Sequence, residues 1–227
     1  MVKIYLYKID YNNIKKDLTD YIRRLPDWRI EKAERIIHEE SRIQSIVAGR
    51  LLDMAVADYL AVDIADVIWP EDYDENSRMY IDKESGKKLL FNITHAGELV
   101  AVAVSESCVG LDIECKEDKD FHVTERMFAP EDREYILGDQ NRFRDVWTIK
   151  ESFLKCTGEG IVVPLNSFTV DYEGIFKKPL KVISKGHEMK DDYYVMTERI
   201  LDGSYSFSVC MQKSNLVLDT KWVEVLV

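Results

Sequence analysis

Two acidic residues interrupt an otherwise apolar run in CVGLDIEC, Cys108 to Cys115. In a strand, residues two apart share a face, so Asp112 and Glu114 project together while Leu111 and Ile113 point the other way. Like charges held that close repel, and burying them uncompensated is costly, so a cation, basic side chains or open water must offset them. A hard divalent ion such as Mg²⁺ prefers carboxylate oxygens and leaves positions open for phosphate. An ordinary edge strand with solvated acids fits the same spacing. A second stretch with chemical potential is WTIKESFLK, Trp147 to Lys155. On a helical wheel Val146, Ile149, Phe153 and Cys156 gather on one side, and Trp147, Glu151 and Lys155 form a stripe well away from it. Glu151 and Lys155 suit either a surface ion pair or a base and a cation facing a cleft. Periodicity alone does not separate the two.

A third candidate is NITHAG, where His95 follows an apolar strand and precedes a turn. It reads either as a solvated structural histidine or, with the Thr94 hydroxyl and nearby backbone amides, as a phosphate donor. The fourth is a basic region: from Tyr21 to Leu52 there are seven basic side chains against five acidic ones, in a chain of net charge -11. A solvated helix face explains that balance, yet it is also where a polyanionic ligand would be tolerated. The overall negative charge argues against a general nucleic-acid or anionic-membrane surface.

These residues need elements to hold them. MVKIYLYKIDY alternates in strand fashion and does not read as a signal peptide. Pro26 opens a helix in which Ile30, Ala33 and Ile37 repeat on one face, and Ile43, Val47, Leu51 and Met54 mark a second helix ending near Val62. From Trp69 to Lys88 the chain reads as a loop with at most a short strand at RMYI. LLFNIT, LVAVAVS and CVGLDIE then suggest three adjacent antiparallel strands covered by the helices. Helical patterns return at VTERMF, at PEDREYIL behind Pro130, and from about Phe143 to Thr157 before Gly158. SFTVDY, KVIS, YYVMT and YSFSVCMQ read as strands.

The 227 residues, 46% apolar, can bury a substantial core. The pattern is compatible with two similar α/β lobes, although no sequence repeat supports a duplication. No apolar run approaches the roughly 20 residues of a membrane-spanning helix, so a soluble, cytoplasmic protein is expected. The four cysteines, at 108, 115, 156 and 210, form no CxxC pair and read as reduced thiols.

Taken in order, FNITHAG, VGLDIE and WTIKESFLKCTGEGIVVPLNSF resemble the blocks of the surfactin-synthetase-type 4′-phosphopantetheinyl transferases, and the likeness extends to the opening KIYLYKID and to GKK at Gly86. The resemblance implies an α+β monomer of two pseudo-symmetric lobes, 1–108 and 109–227. Each would be a small, mostly antiparallel sheet packed by helices, with the active site in the cleft between them. It implies transfer of the phosphopantetheinyl arm of coenzyme A to a serine of an acyl or peptidyl carrier protein, releasing adenosine 3′,5′-bisphosphate, with Mg²⁺. By motif position Asp112, Glu114 and Glu151 would hold the metal, and Glu151 would also be the base for the serine. Lys155 would neutralise the transferring phosphate or the leaving group, and Thr94 and His95 would contact phosphates. Arg29, Lys32, Arg42 and Lys87 match the positions that hold the 3′-phosphate. Thr94 replaces a more usual serine, Lys88 a common proline, and HEESR is one residue shorter than the family form. A groove for the carrier is expected near RMFAPEDREYIL. Two other readings remain: a Mg²⁺-dependent phosphohydrolase of a small anhydride, and a non-catalytic binding protein that kept the fold.

Overall fold

The computed structural model describes residues 1–14, 18–116, 126–212, 218–224 and 226. The chain divides into two compact units, Met1–Glu106 with Val217–Val227, and Ser107–Leu216. In the first unit, strand β1 (Val2–Lys8) is followed by helices α1 (Leu18–Arg23), α2 (Asp27–Glu34) and α3 (Glu39–Leu60). A three-strand meander follows: β2 (Met79–Ile81), β3 (Lys88–Ala96) and β4 (Leu99–Ser105). In the second unit β5 (Val109–Cys115) precedes helices α4 (Pro130–Ile136) and α5 (Gln140–Thr157). Then come β6 (Phe168–Val170), β7 (Leu180–Ser184), β8 (Tyr194–Ile200) and β9 (Tyr205–Met211), before β10 (Leu218–Val223) returns to the first sheet.

The first sheet runs β10-β1-β4-β3-β2 and the second β5-β9-β8-β7-β6. Each unit therefore opens with a strand, inserts its helices, and closes with an antiparallel meander whose last strand pairs with the opening one. Apart from β10, which only the first sheet adds, the two units share this topology without a repeat in their sequences. In the first, Val47, Leu51, Ala55 and Val56 of α3 pack on Val100, Val102 and Val104 of β4. All seven positions of LVAVAVS are buried, which is why both of its alternating faces are apolar. In the second, Val146, Ile149 and Phe153 of α5 join Phe168, Leu180, Val182 and Val195. Among the described residues no helix is long and apolar enough to cross a membrane.

Several local expectations change. VGLDIE does not lie beside LVAVAVS: β4 pairs with β1 and β3, whereas β5 is the edge of the other sheet and pairs with β9. The apolar runs are alike, and only the intervening SES turn hides the change of sheet. Helix α2 stops at Glu34, leaving Ile37 outside it and 91% exposed. The helix expected at VTERMF lies partly outside the described residues, and its described end, Arg126 to Phe128, forms a turn and bend. LDTKWV was not among the expected strands; β10 runs parallel to β1, with Ile4 opposite Thr220.

Candidate active site

Gly110, Asp112 and Glu114 occupy one face of β5, opposite Cys210, Ser208 and Ser206 of β9. That face lies under α5. A Cβ on Gly110 would come within 1.9 Å of the Ser152 carbonyl oxygen and 2.4 Å of the Cys156 nitrogen, so the missing side chain lets the helix sit directly on the strand. Leu111 and Ile113 are buried on the opposite face, as the alternation requires.

Helix α5 is capped by Asp139, whose carboxylate accepts from the Asn141 and Arg142 amides, and ended by Gly158 at φ 75°. It is buried on most sides, and Phe143, Trp147, Glu151 and Lys155 form its half-buried stripe. The Lys155 ammonium donates to Asp112 Oδ1 at 2.6 Å and to the Leu111 carbonyl at 3.2 Å, joining the helix to the acidic strand. Glu151, one turn earlier, has a buried Oε1 with no hydrogen-bond partner among the described residues. Burial raises its pKa above the ordinary carboxylate range, the negative charge of Asp112 adds to the rise, and Lys155 opposes it. Asp112, Glu151 and Lys155 therefore share one electrostatic environment. Asp112 is buried, and Glu114 is half-buried two residues along the same face.

Beside the apolar packing of Val146, Ile149 and Phe153, α5 and the sheet share a set of buried polar contacts. Thr148 bonds Ser208 at 2.8 Å, and Ser208 bonds Thr197 at 3.0 Å. Asp145, fully buried, accepts from Ser206 at 2.8 Å, from Tyr135 at 3.0 Å and from Arg199 at 2.6 Å. On another side of the helix the fully buried Lys150 pairs with Asp132 at 2.7 Å and donates to the Phe168 carbonyl. Asp132 also accepts from the Ala129 amide and the Tyr172 hydroxyl, and so caps α4. These anchors fix the rotation and height of α5, and with them the positions of Glu151 and Lys155. Pattern reading passed over them, since a buried lysine or aspartate has no periodic signature; a glycine inside a strand was the one visible sign of close approach.

The remaining candidates lie in the first unit. Thr94, buried, and His95, exposed, sit at the end of β3. Lys87 pairs with Glu106 at 2.8 Å and stands 5.0 Å from the Tyr59 ring centre. Lys32 and Arg42 are exposed. Arg29 is 5% exposed, donates to the Ser45 carbonyl at 3.3 Å and stands 5.4 Å from the Trp28 ring centre, which ties α2 to α3.

Residues 108–209, which contain all four charged residues of the β5–α5 cluster, match the model of the 4′-phosphopantetheinyl transferase superfamily. That segment is similar to the superfamily. The chain is 30% identical over 145 residues to a 4′-phosphopantetheinyl transferase of Bacillus subtilis, covering 62% of this chain and 63% of that protein. It is 32% identical over 127 residues to the 4′-phosphopantetheinyl transferase gsp of Aneurinibacillus migulanus, covering 53% of this chain and 50% of that protein. It is 24% identical over 181 residues to the 4′-phosphopantetheinyl transferase Sfp of Bacillus subtilis (strain 168), covering 74% of this chain and 76% of that protein. The matched stretch thus spans less than two thirds of each of the first two relatives. The superfamily segment carries Asp112, Glu114, Glu151 and Lys155, while Arg29, Lys32, Arg42, Lys87, Thr94 and His95 fall before it.

The superfamily residues suit a hard divalent ion. The donors are carboxylate oxygens only, and the buried Oε1 of Glu151 lacks a hydrogen-bond partner among the described residues. Among the described residues no three His, Cys, Asp or Glu side chains converge as a complete metal cage. An ion that keeps several ligands from water or phosphate does not require one.

Proposed function

We propose that this protein is an enzyme that moves the 4′-phosphopantetheine of coenzyme A onto a serine hydroxyl of an acyl or peptidyl carrier protein, releasing adenosine 3′,5′-bisphosphate. The observation that carries the reading is the Asp112–Lys155 contact with Glu151 beside it, a mixed-charge cluster inside the superfamily segment. The serine oxygen attacks the pantetheine-side phosphorus of the pyrophosphate, the P–O bond to the nucleotide side breaks, and the serine proton goes to Glu151. A raised carboxyl pKa suits Glu151 to that role, because the group is a stronger base than an ordinary glutamate. Lys155 offsets the negative charge that accumulates as the bond breaks. Asp112, Glu114 and Glu151 would hold Mg²⁺, which supplies charge neutralisation at the pyrophosphate when bound.

The proposal gives the phosphates of coenzyme A to Thr94 and His95, and the 3′-phosphate to Lys32, Arg42 and Lys87, with Arg29 also fixing α2. A cytoplasmic monomer acting on carrier proteins, with no nucleic-acid or membrane partner, completes it. Carrier docking is assigned to the region of α4, where Met127 and Leu137 are exposed apolar side chains.

The test is a mass measurement on apo carrier proteins of the fatty-acid, polyketide and nonribosomal types, each mixed with the protein, coenzyme A and Mg²⁺. The expected result is addition of phosphopantetheine to at least one carrier, lost in Glu114→Ala while the circular-dichroism spectrum is kept. Absence of modification on every carrier overturns the proposal. Release of phosphopantetheine without any carrier would instead assign a hydrolase.

A further inference from the structure

Cys108 lies just before β5 and Cys156 one residue before the end of α5, and the close seating of that helix on Gly110 brings them together. Their sulfurs are 2.7 Å apart, within about 0.7 Å of a disulfide bond length of about 2.05 Å. The Cys108 thiol also meets the Cys156 carbonyl oxygen. Both cysteines are free. Cys156 is 6% exposed and packs with the fully buried Cys210, whereas Cys108 is only half-buried, so a solute reaches Cys108 first.

We infer that Cys108 and Cys156 form an oxidisable dithiol, a modification site at which a hydroperoxide closes a disulfide between the start of β5 and the last turn of α5. The Cys108 sulfur attacks one peroxide oxygen, the O–O bond breaks, and a sulfenic acid and one water result. The Cys156 sulfur then displaces the hydroxyl group from Cys108, forming the S–S bond and a second water. Two thiols and one hydrogen peroxide give one disulfide and two waters, the two sulfurs together losing the two electrons that the peroxide gains. The contact with Cys156 and burial both raise the Cys108 pKa, so little of it is thiolate and its oxidation is slow. The bridge spans 48 positions in sequence, which explains why cysteine spacing gave no sign of it. It would fasten the helix one residue from Lys155.

The site is tested without any transfer assay. The full chain is treated with hydrogen peroxide, unfolded in the presence of an alkylating agent, digested and analysed by mass spectrometry. Expected are a fall from four alkylated thiols to two, a peptide linked through Cys108 and Cys156, and reversal by a thiol reductant. Cys115→Ser should keep the link and Cys108→Ser should abolish it. The oxidised wild type should melt at higher temperature than its reduced form, and oxidised Cys108→Ser should not gain. A link between any other pair, or sulfinic acid at Cys108 with Cys156 still alkylated, overturns the inference. So does retention of all four thiols under peroxide that oxidises a small model thiol.

Discussion

Replacing Gly110 by alanine adds one methyl group where the strand has no room for it. The new Cβ would stand 1.9 Å from the Ser152 carbonyl oxygen, 2.4 Å from the Cys156 nitrogen and 3.0 Å from its Cα, whereas ordinary contact begins at 3.4 Å. All three obstacles are backbone, so no rotamer change relieves them, and α5 must retreat by about 1.5 Å. Overpacking of a core costs about 1–3 kcal/mol. The upper end applies here, with about 1 kcal/mol more as the retreat carries the 2.8 Å Thr148–Ser208 bond out of reach. Chain entropy alone would favour alanine by about 0.4–1 kcal/mol, so even the sign of the effect is informative. A loss of about 3–4 kcal/mol should appear as a lower urea midpoint. Displacement of Glu151 and Lys155 by more than about 1 Å should reduce kcat/KM for carrier modification by about 100-fold. A variant with the wild-type midpoint and rate would refute the close seating of the helix on β5.

Glu151 should give the activity an acidic limb lying above the ordinary glutamate pKa of about 4.3, and Glu151→Gln should abolish the limb along with most of the rate; a pH profile of kcat/KM checks both. The linked stability effect has a definite sign. Since the folded-state pKa is raised, the native protein holds the extra proton between the unfolded and folded values, and stability from this group is lost as pH rises through the folded value. Glu151→Gln should therefore match the wild type in urea melts below the unfolded value and exceed it at neutral pH, and a constant difference across that range would contradict the assignment. Lys150→Met removes the cation from the fully buried Asp132, and should cost about 3–5 kcal/mol in urea unfolding. A loss under about 1 kcal/mol would show that the pair does not anchor α5.

The local patterns carried far because local physics made them. Alternation identified β1, the helical repeat from Ile43 to Met54 identified α3, and Gly158 marked the end of α5. The wheel that separated Val146, Ile149 and Phe153 from Trp147, Glu151 and Lys155 matches the buried and half-buried sides of that helix. What failed was partner choice. Periodicity says which face of VGLDIE is polar and is silent on whether Val104 or Val209 lies beside the strand, because both neighbours are apolar. Arg29 shows the same limit on a single side chain: a basic residue on a helix reads as exposed, yet its guanidinium lies among Trp28, Ser45 and Gly49. Lys150, next to Glu151 in sequence, points into a buried ion pair, a distinction made only by the tertiary neighbours of each.

The parallel pairing of β10 with β1 bears on the order in which the chain can mature during synthesis. The second unit is one continuous stretch, so it can complete its sheet as soon as it leaves the ribosome. The first cannot, because one hydrogen-bonding edge of Val2–Lys8 stays open until Leu218–Val223 has been made. That open edge belongs to a strand whose Val2, Ile4, Tyr5 and Leu6 end up buried, the kind of surface on which nascent chains associate. Shortening the chain by its last ten residues would leave every candidate site residue in place and make this waiting state permanent.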